Sequence, residues 1–281
     1  MIALPPKVFL DTQIVAQVER EEISSADWRL ASQYLRHATR YCISALTATE
    51  LLRALAKGSD DHFELHKRRL RILIEPHENA EVFDFIPYYV ASELGLPVQR
   101  PSHLEDDLLG TICLILSSSS KEKLQSGIRH PQTGHQMIIR LDRFINECDQ
   151  LKNGYNQMIE KMKQARGPQL EPEQWATGVL RWYGIPHAGE EALRGILVRL
   201  SAAYEFEKAV RTHTKNPNFN VVRNSSDQVD GQQLLYLCNS ETVFITNDSD
   251  FKTRTKRSPQ AERIKTFREL LECIQSNGTL L

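Results

Sequence analysis

Four acidic residues stand where a strand ends or a helix begins: Asp11, Glu50, Asp230 and Asp248. Asp230 and Asp248 lie 18 positions apart, and the stretch joining them reads DGQQLLYLCNSETVFITND. Asp230 opens a helical run that is apolar at Leu234, Leu235, Leu237 and Cys238. A polar turn, Asn239-Ser240-Glu241, leads into the apolar strand Thr242-Val243-Phe244-Ile245, and Asp248 stands just past its end. At the N-terminus Val8-Phe9-Leu10 runs straight into Asp11. If these two strands are neighbours, all four acids converge on one sheet edge. Carboxylates packed together repel and retain protons until a cation arrives. A hard divalent ion, Mg2+ or Mn2+, relieves that repulsion with a few carboxylates, bound waters and a substrate phosphate. Such an ion polarises a phosphoryl oxygen and acidifies a bound water for in-line attack on phosphorus.

The elements that must position these acids alternate between strand and helix. Residues 8–11 read as strand one. Ser24 or Ser25 caps a helix with Trp28, Ala31, Tyr34 and Leu35 on one face. Residues 41–47 read as strand two, passing into a helix that carries Glu50 and ends at Gly58. A further helix spans roughly 61–74, strand three is 82–86, and a helix follows near 88–95. After residue 226 the alternation resumes, with a fifth strand at 264–267 and a last helix. This order predicts an α/β fold, a parallel sheet flanked by helices. Ligands of such sheets bind at the carboxyl ends of the strands.

Between 100 and 222 the sequence shows helical patterns only. Ser102-His103-Leu104-Glu105 matches a capping box before the apolar run Leu108–Leu116. Met137, Leu141, Phe144, Cys148, Leu151, Tyr155, Met158 and Met162 recur in alternating steps of four and three, a coiled-coil-like seam. Helices are expected at 170–184 and 189–213. The seam is expected to pair with helix 189–213 in an antiparallel hairpin; its other use is a homodimer contact. The expected organisation is an α/β domain over 1–100 and 223–281, interrupted by an all-helical insertion over 101–222.

The set of motifs resembles the PIN domain, a family of metal-dependent nucleases. The segments that carry the resemblance are Val8-Phe9-Leu10-Asp11-Thr12, Ile43-Ser44-Ala45-Leu46-Thr47-Ala48-Thr49-Glu50-Leu51-Leu52, and Asp230 through Thr246-Asn247-Asp248-Ser249-Asp250-Phe251. Each motif alone is weak, and their joint order is specific. The resemblance implies a sheet order of 3-2-1-4-5 and cleavage of RNA, less often of structured DNA. It implies that Asp11, Glu50, Asp230 and Asp248 hold Mg2+ or Mn2+ and activate water. The chain departs from the family in its long insertion and in Gly231-Gln232-Gln233, where small apolar residues are common.

Other side chains carry two readings each. Asp227 reads chiefly as a complement to a helix N-terminus; its other reading, one turn from Asp230, is to face the metal. Asp250 either supports the ion-binding acids or is a solvated turn residue. Thr12 and Thr246 either hydrogen-bond the carboxylates or the bound water, or fill strand ends. The cluster Lys252, Arg254, Lys256 and Arg257 directly follows Asp248–Phe251 and is expected to meet nucleic-acid phosphates. Lys67, Arg68, Arg69 and Arg71 are read as ordinary solvated surface.

The bulk numbers constrain the remaining readings. A net charge of −1 gives no general attraction to nucleic acid, so any such contact is local. The five cysteines (Cys42, Cys113, Cys148, Cys238, Cys273) form no CxxC pair and read as reduced, buried and cytoplasmic. No apolar run suits a membrane span. A zinc-protease helix, a dinucleotide fingerprint, a Walker loop and an aspartyl-phosphate motif are all missing from the sequence. The expected partner is RNA, with an antitoxin-like protein as a second if the chain is the toxin of a toxin–antitoxin pair. The alternative is a non-catalytic scaffold that binds protein through the insertion.

Overall fold

Alternate residues of the central strands point to opposite sides, and both sides are apolar. Val8, Leu10, Ile43, Val243 and Ile245 belong to one core, whereas Phe9, Cys42, Phe83 and Phe244 belong to a second. A sheet buried on both faces is the parallel kind, whose crossover helices cover each side. The computed structural model describes residues 4–76, 81–83, 85–97, 108–129, 136–142, 145–146, 149, 153, 156–157, 171–185, 189–214 and 227–281. Strands β1 (Lys7–Leu10), β2 (Arg40–Ser44), β3 (Glu81–Phe83), β6 (Thr242–Ile245) and β7 (Ile264–Lys265) form one five-stranded sheet. Its order is β3-β2-β1-β6-β7 and every pairing is parallel. With β6 and β7 counted as strands four and five, this is the expected order 3-2-1-4-5.

Helices α1 (Thr12–Glu19), α2 (Ser25–Ala38), α3 (Ala45–Lys57), α4 (Phe63–Ile74) and α5 (Ile86–Leu94) follow the first three strands. Strand two is shorter than its apolar run suggests. Ser44 caps α3 by accepting from the Thr47 amide at 3.3 Å, so the helix begins at Ala45. Glu50 therefore lies in the second turn of a helix already under way. The Thr47 hydroxyl donates to the Leu10 carbonyl at 3.0 Å and pins α3 to the end of β1.

The segment between β3 and β6 supplies helices to both faces of the sheet. Helices α6 (Leu108–Ser117) and α7 (Lys121–Ser126), with Ile139 and Leu141, enter the core that contains Leu10, Ile14, Leu52 and Leu70. Helices α8 (Pro172–Trp182), α9 (Glu190–Arg199) and α10 (Ser201–Thr214) enter the core of Phe9 and Phe244. Three expectations are corrected. The segment is not wholly helical, because β4 (Ile128–Arg129) and β5 (Gln136–Met137) form an antiparallel pair. Leu141 is buried in the core opposite to that of α9 and α10, so its part of the seam does not pair with them. The expected single helix 189–213 is two helices, broken at Leu200. The side chains of Met137, Phe144, Cys148, Leu151, Tyr155, Met158 and Met162 lie outside the described residues.

Asp149 ties this segment to the sheet domain. Its carboxylate accepts from Arg53 at 2.6 Å and from Lys57 at 2.8 Å, one and two turns beyond Glu50 on α3. Among the described cysteines Cys42 and Cys238 are buried and Cys273 half-buried, whereas Cys113 is exposed, against the sequence expectation. No helix among the described residues is long and apolar enough to cross a membrane.

Toward the C-terminus come α11 (Asp227–Gln233), a 3-10 turn (Leu234–Cys238), α12 (Ser249–Thr255) and α13 (Phe267–Gln275). Asp230 sits within α11 and does not open it, because the helix already starts at Asp227. Thr266 and Glu269 form a reciprocal capping box that starts α13 directly after β7.

Candidate acidic site at the carboxyl edge of the sheet

The chain leaves β1 toward β2 on one side and is joined by β6 on the other. The end of β1 is therefore a point where the strand order reverses, the usual place for a ligand in such sheets. Asp11 occupies it. Its amide donates to the Ile245 carbonyl at 3.0 Å, and the residue is 5% exposed. The Thr246 hydroxyl donates to Asp11 Oδ2 at 2.7 Å, and the Thr12 hydroxyl lies 3.1 Å from Oδ1. The same Thr12 oxygen lies 3.1 Å from Glu50 Oε2. One hydroxyl proton serves two carboxylates, so Thr12 joins Asp11 to Glu50.

Thr246 joins the Asp11 carboxylate to the Asp248 backbone. Its oxygen accepts from the Asp248 amide at 3.0 Å while its proton goes to Asp11. Asp248 caps α12, accepting from the Asp250 amide at 2.8 Å. Asn247 braces this turn: it donates to Gln17 Oε1 at 2.6 Å and accepts from the Phe267 amide at 2.9 Å. Both threonine hydroxyls thus hydrogen-bond the Asp11 carboxylate, and Thr12 reaches Glu50 as well.

Burial raises the Asp11 carboxyl above the usual carboxylate range. The hydrogen bonds from Thr246, Thr12 and the Gln13 amide oppose the rise, and the nearby charge of Asp248 adds to it. No cationic side chain pairs with Asp11 among the described residues.

Asp230 is half-buried on α11. The full expected quartet does not close. Among the described residues, no group of three or more His, Cys, Asp or Glu stands close enough to hold a metal ion. The side chain of Asp227 lies outside the described residues. Asp250 is bonded to Arg254 at 2.7 Å, four residues on, so its carboxylate is committed to its own helix.

The basic cluster divides. Lys252 pairs with Glu269 of the α13 capping box. The Arg254 guanidinium lies 4.9 Å from the centre of the Phe206 ring on α10, so it clamps α12 to α10. Lys256 and Arg257 are exposed and form no ion pair among the described residues. The cluster at 67–71 is not plain solvated surface. Lys67 is buried, donating to the Ser118 carbonyl at 2.6 Å and to Glu64, and Arg69 pairs with Glu19 at 3.2 Å.

One polar residue of this region was not singled out from the sequence as part of a site. Gln233, three residues after Asp230, has no solvent exposure, and both of its amide atoms lack a hydrogen-bond partner among the described residues. A buried unpaired amide costs about 1–3 kcal/mol. The visible signal is a glutamine at the head of the apolar run Leu234–Cys238.

These features define a parallel α/β protein with a buried carboxyl and two neighbouring acids at its strand-order reversal. Comparison of the chain with protein-family models, curated proteins and solved structures finds no match.

Proposed function

We propose that this protein is a PIN-like, Mg2+- or Mn2+-dependent phosphodiesterase that cleaves RNA. The observation that carries the reading is Asp11: a nearly buried carboxyl at the strand-order reversal, flanked by Glu50 and Asp248 and, among the described residues, partnered by neutral donors. A site that burdens its own acid in this way gains from a cation. The residues fit such an ion, since Mg2+ keeps several waters and uses one or two carboxylates rather than a closed protein cage. Asp11, with Glu50 and Asp248, would hold it; Asp230 would join from α11. The ion would supply a polarised phosphoryl oxygen and an acidified water. Thr12 and Thr246 keep the carboxylates aimed, and Lys256 and Arg257 present charge to the phosphates beside Asp248.

The lack of a closed three-acid group among the described residues favours a second reading, a non-catalytic scaffold of the same fold. Incubating the purified chain with a panel of single-stranded RNA, structured RNA and DNA separates the two. The nuclease reading requires cleavage that appears with Mg2+ or Mn2+ and stops with EDTA. A chain inert to every substrate and ion is the scaffold.

The substrate contact has its own test. Replacing Lys256 and Arg257 with glutamine is expected to weaken RNA binding and to flatten its log–log salt dependence by roughly 0.7 per lost phosphate contact. Replacing Lys252 or Arg254 is expected to act on stability, because each already has a protein partner. Equal salt slopes for wild type and the double variant would assign Lys256 and Arg257 to solvated surface.

A further inference from the structure

Two glutamines are buried, and they are treated differently. Gln260 is fully bonded: Nε2 donates to the carbonyls of Arg199 and Leu237, and Oε1 accepts from the Ala202 amide at 2.7 Å. It fastens α10, the 3-10 turn and the β6–β7 connection together. Gln233 is buried more completely, yet neither amide atom has a partner among the described residues. A core that satisfies one amide so thoroughly leaves the other open to something that is not protein.

The orientation of α11 indicates what that is. A methyl group at Gly231 would stand 3.4 Å from the Phe206 ring, so that side of the helix faces α10. Gln233 is about 200° further round and points away from α10; Asp230 lies about 60° from it on the same side. Residues three apart on a helix have Cβ atoms about 5–6 Å apart, so one water with hydrogen bonds of about 2.8 Å can touch both side chains. Buried waters sit where two to four polar groups converge. The Gln233 carbonyl and N–H groups and the Asp230 carboxylate supply that number.

We propose that Gln233 is a positioning residue that seats one ordered water beside α11 and, through it, holds the Asp230 carboxylate toward the sheet edge. The water site stands on its own; its consequence for cation binding rests on the metal reading above. Gln233→Met keeps the length and removes the hydrogen bonds.

Two measurements on the full chain test this. A high-resolution crystal structure should show a water within hydrogen-bond reach of both the Gln233 amide and the Asp230 carboxylate, lost in Gln233→Met. The rise in Tm produced by Mn2+ alone should fall by half or more in Gln233→Met, as in Asp230→Asn. If the wild-type amide bonds directly to protein groups, the proposal is wrong. It is equally overturned if Gln233→Met melts higher than wild type and keeps the whole Mn2+ response, since the amide would then be a tolerated defect. If Gln233→Met does not fold, the wild-type density decides. A seated water with no Mn2+ response in wild type would discard the cation reading and leave the water link in place.

Discussion

Asp11→Asn is expected to lower metal-dependent RNA cleavage by at least about 100-fold, the scale of a lost acid–base or ion-holding group. The same variant should fold at least as stably as wild type at neutral pH without metal. The reason is the burial of Asp11, which holds its carboxyl above the ordinary range. A raised value means that the folded state prefers the protonated acid. That preference contributes stability below the unfolded-state value of about 3.9 and is lost as pH rises through the folded value. Wild type and Asp11→Asn should therefore converge in Tm at low pH and separate above it, with the asparagine variant higher. Mn2+ reverses the order. An ion at about 100 times its Kd adds about 2.7 kcal/mol to wild type, a gain of roughly 5–10 °C for a chain of this size. Asp11→Asn should lose most of that gain. Identical pH and Mn2+ profiles for the two proteins would remove Asp11 from any ion site.

Phe9→Ala is expected to cost about 3–5 kcal/mol, lowering Tm by roughly 6–20 °C. Phe9 has no solvent exposure and stacks on Phe244 with ring centres 4.6 Å apart. It also meets Tyr236 and Phe83 edge-on at 5.5 and 5.6 Å. These rings come from β1, β3, β6 and the 3-10 turn, so no one neighbour can move to fill the space without breaking the others' contacts. The vacated volume would lie two residues before Asp11. Urea unfolding should show a lower midpoint at an unchanged slope. Ile138→Ala, at a residue 63% exposed, should stay within about 0.5 kcal/mol of wild type. A loss below 1 kcal/mol at Phe9 would mean that the second core is more plastic than its ring geometry indicates.

Much of this architecture was legible in local patterns. Strands that are apolar on both faces and separated by amphipathic helices can satisfy themselves only in a covered parallel sheet, so the fold class followed from Val8–Leu10, Tyr41–Ile43 and Thr242–Ile245. Asp11 and Asp248 were legible as strand-end residues because both sit where an apolar run stops. The limits of elements were less legible. An apolar stretch such as Ala45-Leu46-Thr47 suits strand and helix alike, and Ser44 decided the matter by capping α3.

Tertiary structure decided what local spacing leaves open. Local patterns report which face of a helix is apolar, not which sheet face it meets, so the division of the 108–214 segment between two cores was invisible in them. They likewise could not show that Arg254 is spent on Phe206 and Asp250 while Lys256 and Arg257 stay exposed. Nor could they place the threonine hydroxyls between the acids. Distances between residues 11, 50, 246 and 248 depend on how β1, α3 and β6 lie side by side. By itself the sequence determined a parallel α/β chain with acids at its strand ends. Packing determined that Asp11 and Glu50 share the Thr12 hydroxyl and that Thr246 links Asp11 to the Asp248 backbone, because only the sheet brings together residues more than 200 positions apart.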